Sequence, residues 1–439
     1  MPQGDAPALT PARRRRAALA ATLGNGLEFY DFVTYAFFAI QIGRTFFPSS
    51  DAWSSLMGSL ATFGVGFVSR PFGAWALGHY GDRKGRKPAM ILSMGLMGAG
   101  ILALVVTPGF AAIGWAAPVI AVCARTVQGF ALGGEVGAAS VYMVEAADVH
   151  RRGLYASLQG VCQAASGSLG AAVGIVLSSW LSDAQLVSWG WRVALGLGLS
   201  VVPLAIVLRR DLPETHGAEA EIAAPEDGTD LPPLARVVLP IGALITMGTI
   251  ATYILKYMAT FGQTELHLSV RNAMIGQFLN DFIGIGSILM GGLASDRFGR
   301  KPVLLVPIVA TLIVVVPLFA WTVTSRSLTA FFATNVVLGA LRPMFQGPVY
   351  AALTESVAPG RRARVFALVY ALPVTVFGGS TQVTLAWLLK ATGTPMAVAW
   401  MFVGACLVGL IGAAFLVESS PRHRRRRPLP DYPALTNPA

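Results

Sequence analysis

Gly78-His79-Tyr80-Gly81-Asp82-Arg83-Lys84-Gly85-Arg86-Lys87-Pro88 is a short, very basic stretch between two long apolar runs. It occurs again as Gly292-Leu293-Ala294-Ser295-Asp296-Arg297-Phe298-Gly299-Arg300-Lys301-Pro302, so both copies read G-x3-D-R-x-G-R-K-P. The copies lie about half a chain apart. A second pair keeps the same register: Glu145 with Arg151 and Arg152 answers to Glu355 with Arg361 and Arg362. A repeat this long marks two homologous halves and not a solenoid, and parallel repeats of this kind occur in transporter folds.

Composition gives the class. The 439 residues are 54% hydrophobic and only 13% charged, where a soluble protein carries roughly one quarter charged residues. The apolar residues come in blocks of about 20, the length at which a helix crosses a bilayer core. The expected fold is all-α and integral to the membrane, with twelve spans at 19–46, 53–77, 89–107, 113–142, 154–180, 190–208, 237–262, 272–293, 303–323, 328–353, 364–389 and 396–417. These group into two pseudo-symmetric six-helix bundles, 19–208 and 237–417, joined by a polar, Pro-containing linker at 209–236. Residues 1–18 and 418–439 read as cytoplasmic tails. No short apolar region with a cleavage site follows Arg13–Arg16, so the first segment does not read as a removable signal.

The net charge of +11 is distributed as an orientation signal and not as a nucleic-acid surface. With the N-terminus placed inside, most of the 33 Lys and Arg fall on the inner side. They include Arg13–Arg16, both basic stretches, Arg151, Arg152, Arg209, Arg210, Arg236, Arg361, Arg362, Arg364 and the C-terminal arginines. This bias predicts both termini in the cytoplasm. Cys123, Cys162 and Cys406 sit inside apolar blocks without metal-ligand spacing and read as small buried hydrophobes. No metal cluster or nucleophile–base constellation argues for an enzyme, no cofactor is expected, and a monomer is expected.

The repeated stretch suggests a conformational latch on the inner face. An Asp at the end of one helix and Arg or Lys at the start of the next pair across a Gly-containing turn. The expected latch residues are Gly78, Asp82, Arg83, Gly85, Arg86 and Lys87 in the first copy and Asp296, Arg297, Gly299, Arg300 and Lys301 in the second. Glu145, Arg151, Arg152, Glu355, Arg361 and Arg362 join them, with Arg70 at the inner end of the second span. Fixing topology and facing anionic lipid heads is the plainer role for the same charges.

Charges inside the spans carry the functional reading, since each costs roughly 2.5–3.5 kcal/mol on insertion scales. Glu28 and Asp31 lie three apart on one face of the first span. Carboxylates that close in a low dielectric raise each other's proton affinity. They are the expected proton-coupling site, with Glu135 in reserve. Arg125 offers a planar fork for a carboxylate, with Gln128 three residues on. Arg342 and Gln346 on the tenth span, Lys256 and Tyr257 on the seventh, and Tyr30 and Asn25 on the first complete the expected substrate contacts. Tyr35, Tyr253 and Tyr350 are further aromatic donors of the same kind. Plainer roles stand beside these: Arg125 as a partner of Asp31 or Glu28, and Lys256 neutralised by Asp281. Pro343, Pro348 and Pro373 mark places where helices bend.

The doubled G-x3-D-R-x-G-R-K-P stretch resembles the signature of the major facilitator superfamily. Within it, four features look like the metabolite:proton symporter family, nearest to citrate and tricarballylate proton symporters. They are G-N-G-L-E-F-Y-D-F at 24–32, S-R-P-F-G-A at 69–74, R-T-V-Q-G-F-A-L-G-G-E at 125–135 and W-G-W-R at 189–192. V-Y-A-A-L-T-E at 349–355 and F-G-G at 377–379 carry the likeness into the second half. The resemblance runs from about residue 20 to 417. It implies alternating access and proton-driven uptake of a small organic anion across a bacterial inner membrane, with protons and the lipid bilayer as the other partners. Uptake of 2-oxoglutarate, shikimate or a zwitterionic osmolyte such as betaine or proline remains the alternative within the family, and a non-transporting membrane sensor the alternative outside it.

Overall fold

The computed structural model describes residues 29–133, 147–210, 233–358 and 362–422, together with Gly26 and Val144. Asn25, Glu28, Glu135, Glu145 and Arg361 lie outside the described residues, as does the expected linker between 211 and 232. For Asp82, Arg86 and Lys87 the backbone is described and the side chain is not.

Every regular element among the described residues is helical. This is what a bilayer imposes on a chain whose backbone must satisfy its own hydrogen bonds. α1 covers 29–37 and, past an irregular Phe38, Ala39–Phe46. α2 is made of Ala52–Val68 and Arg70–Lys84, which meet at Ser69. Pro71, just inside the second piece, has no N–H to continue the first. The first half continues with α3 (Arg86–Val106), α4 (Ala116–Gly133), α5 (Arg152–Trp180) and α6 (Trp191–Arg210). The second half holds α7 (Leu234–Thr264), α8 (Val270–Phe298) and α9 (Arg300–Ser325). α10 runs from Leu328–Leu341 through a 3-10 turn at Arg342–Phe345 into Gln346–Glu355. α11 runs from Arg362–Pro373 through a π-turn at Val374–Gly378 into Gly379–Thr392, and α12 is Ala397–Phe415. The irregular turns fall at Pro343 and just after Pro373, as the sequence suggests, whereas Pro348 lies inside the helix Gln346–Glu355. Nine of these passages are long and apolar enough to cross a membrane among the described residues. α1 is only partly described, α2 is interrupted, and the side chains of α6 are not described beyond residue 200.

The repeated stretch holds its Gly-containing turn in the smallest form. Helix persists to Lys84 and Phe298 and resumes at Arg86 and Arg300, leaving one glycine in each copy. Gly85 and Gly299 take φ of 104° and 97°, a region a Cβ makes costly. Pro88 and Pro302 follow in the first helical turn, where a missing N–H is harmless.

Small residues let the helices approach. A Cβ on Gly129 of α4 would meet the Gly66 carbonyl oxygen of α2 at 1.8 Å, and one on Gly73 would meet that of Phe130 at 1.8 Å. Lipid tails give helices no hydrophobic reason to associate, so such close contact supplies the packing energy. The halves meet along α5 and α8, where Gly292 abuts Ser157 and Gly153, and between α2 and α11, where Gly64 and Gly379 face each other. Trp115 and Trp180 are exposed at helix ends, as interfacial aromatics are. Cys406 is buried as expected, but Cys123 is exposed on α4, because its position on that helix faces away from the packing surface.

Candidate functional site

The centre of the molecule is built on α1. Asp31 and Tyr35 lie one turn apart, and Phe32 sits between them in the chain. Arg125 of α4, fully buried, brings its guanidinium over the rings of Tyr35 and Phe32 at 4.4 and 4.8 Å. Arg125 Nη1 donates to Gln128 Oε1 at 2.6 Å and stands 3.6 Å from Asp31 Oδ2. That separation is an ion pair beyond hydrogen-bond length. Among the described residues, neither oxygen of Asp31 and neither Nε nor Nη2 of Arg125 has a hydrogen-bond partner. The pair is therefore close enough to neutralise and loose enough to be exchanged.

Arg70 lies in the same place. Its guanidinium stacks over Phe67 at 4.1 Å and over Phe32 at 4.7 Å. The sequence reading put Arg70 with the latch; among the described residues its guanidinium lies in this aromatic cluster. Tyr253 of α7 closes that cluster from the other half, with ring centroids 5.2 Å from Phe67 and 6.0 Å from Phe63.

In the second half, Lys256 Nζ donates to both oxygens of Asp281 at 2.5 and 2.6 Å, and Gln277 Nε2 donates to Oδ2 at 3.0 Å. Lys256 is thus held by Asp281, the plainer of its two expected roles. Gly167 of α5 presses on this pair: a Cβ there would fall 2.3 Å from Asp281 Oδ2 and 2.7 Å from Lys256 Nζ. Arg342 Nη2 donates to the Gly248 carbonyl at 3.0 Å and to the Thr252 hydroxyl, both on α7. Arg342 shares no hydrogen-bond or ring partner with Arg125 among the described residues. Gln346 Nε2 reaches across to Gln163 Oε1 of α5 at 3.2 Å. Tyr30 donates to the Ala194 carbonyl at 2.9 Å, which ties it to α6. Tyr257 lines a cavity of about 590 Å³ at one end of the bundle, with Gln41, Arg44, Gln263, His267 and Lys390.

At the mouth of that cavity Lys390 of α11 bridges to Asp51 at 3.1 Å and sits over Trp53. The hydrogen bond from the Lys390 ammonium holds the Asp51 carboxyl below the usual carboxylate range. This bridge joins the halves, and the sequence reading missed it because the two residues are far apart in the chain and individually unremarked.

The opposite end holds the second copy of the repeated stretch. Arg300 donates to Glu355 at 2.7 and 3.1 Å, to Asp296 at 2.8 Å and to Ser295 at 2.7 Å. Asp296 in turn accepts from the backbone N–H of Gly153 and Leu154 of α5, at 2.8 and 2.9 Å. Asp296, Arg300 and Glu355, all of the second half, are thus brought together, and Asp296 ties the cluster to α5 of the first. Glu418, which the sequence reading left in a tail, accepts from the N–H of Arg300 and Lys301 and caps α9. Ser419 donates to Glu355. An acidic residue directly after the last apolar run was the available signal. Lys301 Nζ donates to the Ala414 carbonyl and Arg362 to that of Val357. Arg83, Arg151 and Arg297 are exposed, as is Gly78, while Arg152 is half-buried.

Residues 17–217 match the sugar (and other) transporter family and residues 278–438 the major facilitator superfamily. A citrate-proton symporter of Salmonella typhi is 34% identical over 418 residues, covering 93% of this chain and 96% of that one. An alpha-ketoglutarate permease of Escherichia coli K12 is 33% identical, covering 91% and 94%. A proline/betaine transporter of the same organism is 28% identical, covering 95% and 86%. The partially occluded, inward-open xylose transporter XylE from E. coli superposes with a TM-score of 0.74 at 17% identity, over 93% of this chain and 99% of that one.

Proposed function

Because the chain belongs to the major facilitator superfamily, we propose that it is a secondary transporter that takes up a di- or tricarboxylate, of the citrate or tricarballylate kind, together with protons. The observation that carries this reading is the loose Asp31–Arg125 pair, buried with donors and acceptors that no described residue satisfies. The 34% identity to a citrate-proton symporter over nearly the whole chain supports the substrate class.

The chemistry follows from the pair. A guanidinium fork binds a carboxylate through two parallel charge-assisted hydrogen bonds. A substrate carboxylate that engages Arg125 releases Asp31 from its counter-charge. An unpaired buried carboxylate is costly, so Asp31 takes a proton. Substrate and proton binding thereby favour each other, and the linkage is reciprocal. Emptying the site on the other side restores the ion pair and expels the proton. The cavity at the Lys390 end is the outer entrance in this reading, and the Arg300 cluster is the inner closure that breaks as that side opens. The protein is a multi-pass bacterial membrane protein with both termini in the cytoplasm.

The reading is tested in liposomes that enclose a pH indicator. Citrate, 2-oxoglutarate and betaine are added outside in turn. Acidification of the lumen with citrate supports the proposal. Acidification with betaine alone would reassign the chain to osmolyte uptake, and none with any of the three would remove proton symport.

A further inference from the structure

Two buried cations of the first half share one ring. Arg70 and Arg125 each hold their guanidinium over Phe32, so their separation cannot exceed the sum of the two ring distances of 4.7 and 4.8 Å. Arg70 is 8% exposed and Arg125 is 0% exposed. Both carry an Nε and an Nη2 that are buried without a hydrogen-bond partner among the described residues. Arg125 has Asp31 as its counter-ion, but no carboxylate among the described residues pairs with Arg70. Two like charges this close, out of water, oppose each other's burial. The arrangement is stable with a ligand that brings its own negative charges. Tyr253, edge-on to Phe67 from the other half, places the cluster at the seam between the halves.

We propose that Arg70 is the second carboxylate-binding residue of the transport site, acting with Arg125 beside Phe32 and selecting substrates with two or more carboxylates. This rests on the carboxylate-symport reading above and adds a residue that sequence had assigned to the latch. Arg125 alone takes one carboxylate and would accept a monocarboxylate. Arg70 supplies the fork for the next, at a separation that a short polycarboxylate spans. Arg342 is less suited to this task, since its Nη2 is spent on Gly248 and Thr252 of α7. The Phe32 and Phe67 rings hold the Arg70 fork by cation–π stacking and keep water from it.

Isothermal titration of purified protein with citrate and with 3-hydroxybutyrate, which has a single carboxylate, tests the assignment. Arg70→Gln is expected to weaken citrate binding about tenfold or more, the loss of one charge-assisted contact. Its weak binding of 3-hydroxybutyrate stays as in the wild type, so the ratio between the two ligands collapses. Arg70→Lys keeps the charge and the stem on the rings but loses the fork. It decides the matter if Arg70→Gln fails to fold, with citrate several-fold weaker and 3-hydroxybutyrate unchanged. Citrate binding unchanged in the folded variants overturns the proposal, and so does an equal loss for both ligands, which marks a structural role. Wild-type protein that binds no citrate, tricarballylate or 2-oxoglutarate would overturn the carboxylate reading itself, and the role of Arg70 with it.

Discussion

Arg125 sits where a fork and a point charge give different answers. Its guanidinium lies against Tyr35 and Phe32 and donates to Gln128, which fixes its plane. Arg125→Lys keeps the charge but loses both the fork and the stacked plane. Citrate binding should weaken by about tenfold or more in that variant, by calorimetry, as expected for a lost charge-assisted bond; an unchanged dissociation constant would take Arg125 out of the site. The Lys256–Asp281 pair calls for a different test. Breaking a buried pair from one side leaves a lone charge and costs about 3–5 kcal/mol, whereas replacing both partners by apolar residues is often neutral. Lys256→Met or Asp281→Leu alone should therefore lower the melting temperature markedly, and the double variant should recover most of the loss. A double variant as unstable as the worse single one would mean that the pair contributes more than mutual neutralisation. Asp31, Arg125 and Lys256 were legible in the sequence because an ionisable residue in an apolar run is conspicuous. Arg70 was equally visible, but its place near the inner end of a span did not show that Phe32 and Phe67, on two different helices, would take up its guanidinium.

The repeated stretch, at the scale of elements, is two helices joined by one glycine. Sequence showed the duplication and the charges but not that helix would continue through Asp-Arg-x. The decisive term is local: Gly85 and Gly299 hold φ values of 104° and 97° that side chains resist. Gly299→Ala should cost on the order of 1–3 kcal/mol, the usual strain of such a conformation, read as a lower melting temperature. The Asp296 carboxylate spans the halves by accepting from Gly153 and Leu154. Asp296→Asn keeps one acceptor oxygen and loses the pairing with Arg300. Turnover should change in the folded variant while citrate affinity holds. Affinity lost together with transport would place Asp296 at the substrate and not at a closure. Glu418 and Ser419 escaped notice because their partners, Arg300, Lys301 and Glu355, are more than sixty residues away in the chain.

At the scale of the whole molecule, two clusters join the halves at opposite ends, with the central pair between them. The Asp51–Lys390 bridge closes the cavity end. Lys390 holds the Asp51 carboxyl below its usual range. A depressed carboxylate contributes above its ordinary value and loses that contribution only as pH falls through the depressed one. The bridge is therefore intact throughout pH 5–8, well above the ordinary aspartate value of about 3.9. Asp51→Asn should leave the shape of the uptake–pH profile in that range unchanged; a profile that shifts would make this bridge a proton sensor. The pattern of apolar blocks and basic segments made the helix order legible, because the bilayer fixes both span length and charge side. Contacts across the seam were not, since they pair residues that no local pattern connects.

The account turns on Asp31 as the group that trades Arg125 for a proton, and transport by Asp31→Asn in liposomes tests it most directly. The variant should exchange labelled citrate across equal concentrations at a rate comparable to the wild type, yet fail to accumulate it when the interior is made alkaline. Accumulation against a gradient by Asp31→Asn, at the wild-type level and abolished by a protonophore, would contradict the account and place the proton elsewhere.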